Sequence, residues 1–249
     1  MQLSDHRIKN ESPESKSGAF FTPNISPPTF SGTISLNHCC FSLSAYHDSL
    51  FKEHNVYFPA ELDRAFLKRK AEFFAGRYCA KHSLLALDGT IADVHIGPQR
   101  CPIWPAHVVG SISHSGNQAI AVTALKENFR GLGIDIQYEV DAKTYTAIKN
   151  QILFGNEHEV IFSGSELDIR VLFTIAFSAK ESFFKAAFAE VGWYFDFSAV
   201  SIKSIDQEGK IIHMCINETL SKKLVVGTEF QAEFRHAHDN KIVTLVRLH

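Results

Sequence analysis

The sequence predicts an α+β fold built as two halves of similar size that meet near residue 130. Two patterns predict it. Each half carries one dominant stretch of helical periodicity, and each sets beside it two or more short runs rich in β-branched residues. The composition agrees: 249 residues, 45% hydrophobic and 21% charged, leave enough apolar material for a real core. The predicted boundaries are a flexible tail over residues 1–30, one α+β half over 31–130 and a second over 131–249.

The elements follow in order. Residues 1–30 hold "SDHRIKNESPESKSG" and "TPNISPP", polar and proline-rich stretches that can bury little. "GTISLNHCCFSLSAY" is rich in strand formers. The helix of the first half is predicted from Pro59, which suits a helix start, to Gly89, which suits the position after a cap. Leu62, Phe66, Phe73, Tyr78 or Cys79, and Leu85 recur along it at roughly helical spacing. The proline-rich "HIGPQRCPIWPAH" is a loop, and "VVGSISH" and "QAIAVTAL" are two strands joined by a turn. The second half opens with the strand "GLGIDIQ", followed by a helix capped by Asp141 and a short helix in "NEHEVIF". "DIRVLFTIAFSAKESFFKAAFAEVG" is a long apolar helix stopped by Gly192, and four strands with turns at "DQEG" and "AHDN" complete the chain.

The bulk properties exclude several function classes. A formal net charge of −2 gives no general attraction to nucleic acid or to an anionic membrane. No apolar run is long enough to span a bilayer, and the polar first residues do not read as a signal peptide. Five cysteines without a CxxC spacing fit a reduced, cytoplasmic protein. The 13 histidines are scattered, without zinc-type spacing, and neither of the two common phosphate-loop motifs is present.

Chemistry enters through acids in apolar surroundings. Asp135 and Gln137 lie two apart on a strand and share a face, while Ile134 and Ile136 share the other. Taken alone, Asp135 is as readily a cap or turn residue. Glu181 lies in an apolar helix with Lys185 one turn on, a spacing that is ordinarily a surface pair. Phe177, Phe183 and Phe184 place that turn near the core instead, where an acid needs a partner. Two oxygen-bearing side chains on a strand and a carboxylate on a helix make a hard-cation pattern of the Mg²⁺ kind. On the anion side, "GSISHSGN" surrounds a turn with hydroxyls, glycines and His114, and Arg77, Lys81 and Arg100 supply positive charge.

The ordered set "KRKAEFFAGRYCAKHSL", "GPQRCPIWPAHVVGSISHSG", "GLGIDIQ" and "FSAKESFFKA" resembles the 4′-phosphopantetheinyl transferases, and within them the enterobactin synthetase component D-like type. The likeness runs from about Arg64 to Ala187. It implies two pseudo-two-fold-related α+β halves with the active site between them. It implies transfer of the phosphopantetheine arm of coenzyme A to a serine of an apo acyl or peptidyl carrier protein, with release of adenosine 3′,5′-bisphosphate. Mg²⁺ is the implied cofactor, with Mn²⁺ as a substitute. Carried over residue by residue, Asp135 and Glu181 fall on metal-ligand positions, with Gln137 beside them. Arg77, Arg100 and His114 fall on positions that hold nucleotide phosphates, and Ser113 beside the 3′-phosphate. Lys180 and Lys185 belong to the motif whose lysines contact coenzyme A phosphate. Glu157, with Glu159 as its rival, falls near a glutamate that serves as base in some members. Gln137 departs from relatives that carry a second acid there.

A monomer that needs neither nucleic acid nor membrane is expected, acting on a small acidic carrier domain. Two other activities fit the same residues: a metal-dependent hydrolase of the coenzyme A pyrophosphate, and a non-catalytic protein that binds coenzyme A or a carrier.

Overall fold

The computed structural model describes residues 19–22, 26–163, 165 and 167–249. The first half contains β1 (Ser35–Cys40), α1 (Leu50–Glu53), α2 (Leu67–Asp88), β2 (His95–Ile96), β3 (Pro102–Ile103), β4 (Val108–Ser115) and β5 (Gln118–Leu125). The second contains β6 (Gly131–Tyr138), α3 (Ala142–Ile152), α4 (Glu157–Phe162), α5 (Ile169–Val191), β7 (Val200–Asp206), β8 (Ile211–Ile216), β9 (Glu229–Ala237) and β10 (Lys241–Leu248). Each half is an antiparallel sheet crossed by one long helix, as the mixed α+β reading expects. The halves are unequal, however: three strands in the order β1-β5-β4 against five in the order β6-β10-β9-β8-β7.

In the first half α2 lies on β5 and β1. Its contact face is built of Ala71, Phe74, Ala75, Cys79 and Ala80, all fully buried, so small side chains let the helix approach the sheet closely. In the second half α5 covers β6 and β10 with Phe173, Ala176, Ala179 and Phe183. Asp168 caps its start by accepting the Arg170 N–H at 2.8 Å, and Gly192, with φ +76°, ends it. Gly133 on β6 lies directly under this helix: a Cβ there would run into the Ser182 carbonyl and come within 2.7 Å of the Ala186 nitrogen. That close approach sets the height of α5 above Asp135, two residues along the strand.

The halves join through a third apolar cluster. Leu132, Ile134 and Ile136 of β6, with Val243 and Leu245 of β10, pack on Ile120, Val122 and Ala124 of β5. At the seam β4 and β6 face each other without backbone pairing. The Ser111 and Ser113 hydroxyls accept the Ile134 and Ile136 N–H groups at 3.0 and 3.3 Å and so satisfy the strand edge.

Three sequence expectations change. The helix starts at Leu67; Pro59 instead precedes a single 3₁₀ turn at Ala60–Leu62. Phe66, expected within the helix, therefore precedes it and is exposed, and Leu85 is also exposed. The proline-rich loop contains the small β2–β3 hairpin. Part of the expected tail is docked: Phe20 is buried and stacks on Phe41, and Phe21 bridges to the same residue. Further on, Thr29 and Ser31 offer carbonyls to Arg235 and Arg247 of the second half. Residues 1–18 and 23–25 lie outside the described residues. Among the described residues no helix is long and apolar enough to cross a membrane.

Candidate active site

A cleft of about 640 Å³ opens between the halves. One wall is α2, through Arg69, Glu72, Phe73 and Arg77; the other is α5, through Phe184, Lys185 and Phe188. The turn that carries Arg100 and the Trp104 ring, which lies against Gly110, close one end. Gln99 and Arg100 both have positive φ, 54° and 65°, a conformation uncommon for side-chain-bearing residues. The Tyr194 hydroxyl donates to the Gln99 carbonyl at 3.2 Å, from the opposite half.

The expected phosphate-side residues Arg77, Arg100, His114 and Lys185 all line this cleft. Burial depresses the Arg77 guanidinium to about 10, with Arg69 adding to the effect, and the group remains a cation at neutral pH. It lies 4.6 Å from the Phe73 ring centroid and donates to the His95 carbonyl. Burial also holds His114 below its usual range; Glu72, 3.7 Å away, opposes the shift, and Arg69 and Lys185 reinforce it.

Beside Lys185 sits the acidic end. Asp135 Oδ1 accepts from Lys185 Nζ at 2.6 Å and from Ser113 Oγ at 2.9 Å, while Oδ2 accepts from Ser178 Oγ at 2.9 Å. Lys185 also donates to Ser113 Oγ and to the Ile134 carbonyl. Glu181, one turn before Lys185, is half-buried and makes no hydrogen bond or ion pair among the described residues. Burial pushes its carboxyl above the usual range; Lys185 lowers it and Asp135 raises it again. Asp135 and Glu181, with Gln137 two residues from Asp135 on β6, offer oxygen donors of the kind that suits a hard divalent ion rather than a soft one. Among the described residues no group of three or more His, Cys, Asp or Glu side chains is placed to hold a metal ion.

The structure keeps three expected residues away from the cleft. Lys180 is fully buried on another face of α5. It donates to Glu157 Oε2 and to the Ile152 carbonyl, both at 2.8 Å, and to the Phe197 carbonyl. Glu157 also accepts the Phe154 N–H at 2.8 Å and, through Oε1, the Ile202 N–H at 2.7 Å. Both of its oxygens are thereby engaged in joining α4, α5 and β7. Lys81 turns outward and donates to the His54 and Asn55 carbonyls. Sequence reasoning missed Arg69, Glu72, Trp104 and the aromatic wall of Phe184, Phe188 and Tyr194. Arg69, Phe73 and Arg77 recur every four residues, so one helical stripe could have found the first of them.

Known proteins resemble this chain over the same elements. Residues 58–124 match the 4′-phosphopantetheinyl transferase N-terminal domain, and residues 131–244 match the 4′-phosphopantetheinyl transferase superfamily. Enterobactin synthase component D of Salmonella typhimurium is 32% identical over 203 residues, 80% of this chain and 81% of that protein. The Escherichia coli O157:H7 protein of the same name is 36% identical over 172 residues, 67% of this chain and 80% of its own. The 4′-phosphopantetheinyl transferase Npt of Nocardia iowensis is 31% identical over 134 residues, 51% of this chain and 57% of its own. A cleft of clustered cations between two α+β halves, an acid pair at its edge and these matches across both halves lead to one conclusion: the chain belongs to the 4′-phosphopantetheinyl transferase superfamily and is of the enterobactin synthase component D type.

Proposed function

We propose that the chain transfers the 4′-phosphopantetheine arm of coenzyme A to a serine of an apo carrier protein and releases adenosine 3′,5′-bisphosphate, with Mg²⁺ as cofactor. The observation that carries this reading is the division of one cleft. Arg69, Arg77, Arg100, His114 and Lys185 give it a cationic side for phosphates, and Phe184, Phe188 and Trp104 give it an apolar side for the less charged arm. Asp135, Glu181 and Gln137 are the residues that would hold the cation. Bound there, it would neutralise charge on the diphosphate.

The protein's own residues have these parts. The serine oxygen forms a bond to the β-phosphorus of the diphosphate, and the bond from that phosphorus to the bridging oxygen breaks. The leaving phosphate gains negative charge, which Lys185 faces as a point charge. Lys185 can do so because Asp135 and Ser113 hold its ammonium group in place. The serine proton needs an acceptor. Glu157 is buried with Lys180 away from the cleft, which leaves Glu181, beside Lys185 on α5, as the acceptor, through a water. The enterobactin synthase names of its relatives favour a carrier from siderophore assembly, and a cytoplasmic monomer is the expected form.

Mass spectrometry of an apo carrier domain incubated with the protein, coenzyme A and Mg²⁺ tests the proposal. The carrier is expected to gain the phosphopantetheine mass. Coenzyme A breakdown with an unchanged carrier would instead mark a hydrolase, and binding without either change a non-catalytic protein. Asp135→Ala and Glu181→Ala are each expected to lower transfer by at least ~10²-fold while keeping the fold.

A further inference from the structure

The cleft opens at the start of α2, where the surface departs from ordinary protein chemistry in two ways. Phe66 is 89% exposed and Leu67 50% exposed. Phe66 occupies the N-cap of α2 without any capping side-chain bond, although Ser, Thr, Asp or Asn would stabilise the helix there. The first turn of α2 also contains no acid. Lys68, Arg69 and Lys70 fill it, at the end where the backbone dipole is already positive. Arg64, just upstream, is exposed too. Arg64, Lys68, Arg69 and Lys70 thus flank two bare apolar side chains, with the exposed Glu61 and Asp63 on the upstream side. Asp48 takes up Lys70 at 2.9 Å, and Glu72 lies 3.8 Å from Lys68, while Arg64 has no ion pair among the described residues.

Neither burial nor helix capping accounts for the exposed Phe66 and Leu67. Their position does. Leu62, Ala65 and Arg69, from the same segment, line the cleft, so its outer side forms the rim. Arg69 lines the cleft with His114 and Lys185, the lysine that Asp135 holds, which puts this rim at the reactive end. Coenzyme A can enter a cleft without touching such a rim. A serine on the surface of a protein cannot reach the cleft unless the protein covers its mouth.

The geometry points to Phe66, Leu67, Arg64 and Lys68 as a docking surface for the carrier protein, which would present acids around an apolar side chain beside the serine to be loaded. This rests on the transferase reading. The decisive variant is Phe66→Ser, because serine at an N-cap supports the helix; lost function then cannot be blamed on lost folding. Steady-state transfer to an apo carrier domain loaded by the wild type is measured with either substrate saturating. Phe66→Ser is expected to raise the KM for the carrier about tenfold, with Tm unchanged or higher and the KM for coenzyme A unmoved. Arg64→Glu is expected to weaken carrier use at low salt and to flatten its salt dependence. Wild-type carrier kinetics in both variants would overturn the docking surface and leave the transferase reading intact. A free-chain dimer that Phe66→Ser dissolves would also overturn it, since the rim would then be a self-contact. If the wild type binds coenzyme A yet loads no acyl or peptidyl carrier domain offered, the transferase reading itself fails and the docking surface with it.

Discussion

Lys180 and Lys185 stand five residues apart on α5 and meet opposite surroundings. At ~100° per residue they point roughly 140° apart, whereas Glu181 and Lys185 differ by only about 40°. Lys180 is sealed in with Glu157, and burial depresses its ammonium, partly offset by that partner. Removing one member of a buried pair leaves the other uncompensated, at a cost of ~3–5 kcal/mol. Lys180→Ala and Glu157→Gln are therefore expected to destabilise the protein clearly in urea melts, with transfer retained by whatever fraction stays folded. A Glu157→Gln protein of wild-type stability but without transfer would restore Glu157 as the base. At the acidic end, Gln137→Glu adds a charged oxygen beside Asp135 and Glu181. It is expected to lower the Mg²⁺ concentration that gives half-maximal transfer, and an unchanged metal titration would rule out the idea that the amide weakens the site.

Between elements, the decisive contact is α5 on β6. Strand alternation made the shared face of Asp135 and Gln137 legible in the sequence, and the apolar flanks of Glu181 showed that it lies near the core. The helix periodicity that joined Phe66 to Phe73 misled, because a periodic pattern cannot show that the chain turns at Ala60–Leu62 before the helix begins. Nor could it tell the buried Lys180 from the cleft-facing Lys185 without their angular difference. Apart from the nearby Phe154 N–H, the partners of Glu157, Lys180 and the Ile202 N–H, are distant in sequence and left no local trace. Gly133 carries the strongest element-level consequence. Gly133→Ala would press a methyl group into the Ser182 carbonyl and lift α5. Overpacking of this kind costs ~1–3 kcal/mol. Because α5 also carries Glu181 and Lys185, the lift would separate them from Asp135. A lower Tm together with a fall in transfer by folded protein is expected; a stable, fully active Gly133→Ala variant would show that the helix height does not set the site.

Across the whole molecule, the site exists only where the halves meet, so its integrity depends on how firmly they are joined. Sequence reading divides the chain near residue 130, but the apolar cluster at the seam draws on both sides of that point. A separated second half would expose Leu132, Ile134 and Ile136, which are now fully or nearly buried. The early segment reinforces the joint: Arg235 and Arg247 hold Thr29 and Ser31 by their carbonyls, and Glu233 braces both arginines. These shared contacts predict one cooperative unfolding transition, with calorimetric and van't Hoff enthalpies in agreement. Ser111→Ala sharpens the test. It removes the acceptor of the Ile134 N–H at the seam, and a buried donor left unpaired costs ~1–3 kcal/mol. If the halves fold as one unit, differential scanning calorimetry will show the entire transition moving to lower temperature without splitting. Two resolved transitions, with only one displaced by Ser111→Ala, would mean that the halves are independent domains and that the cleft is a hinge between them.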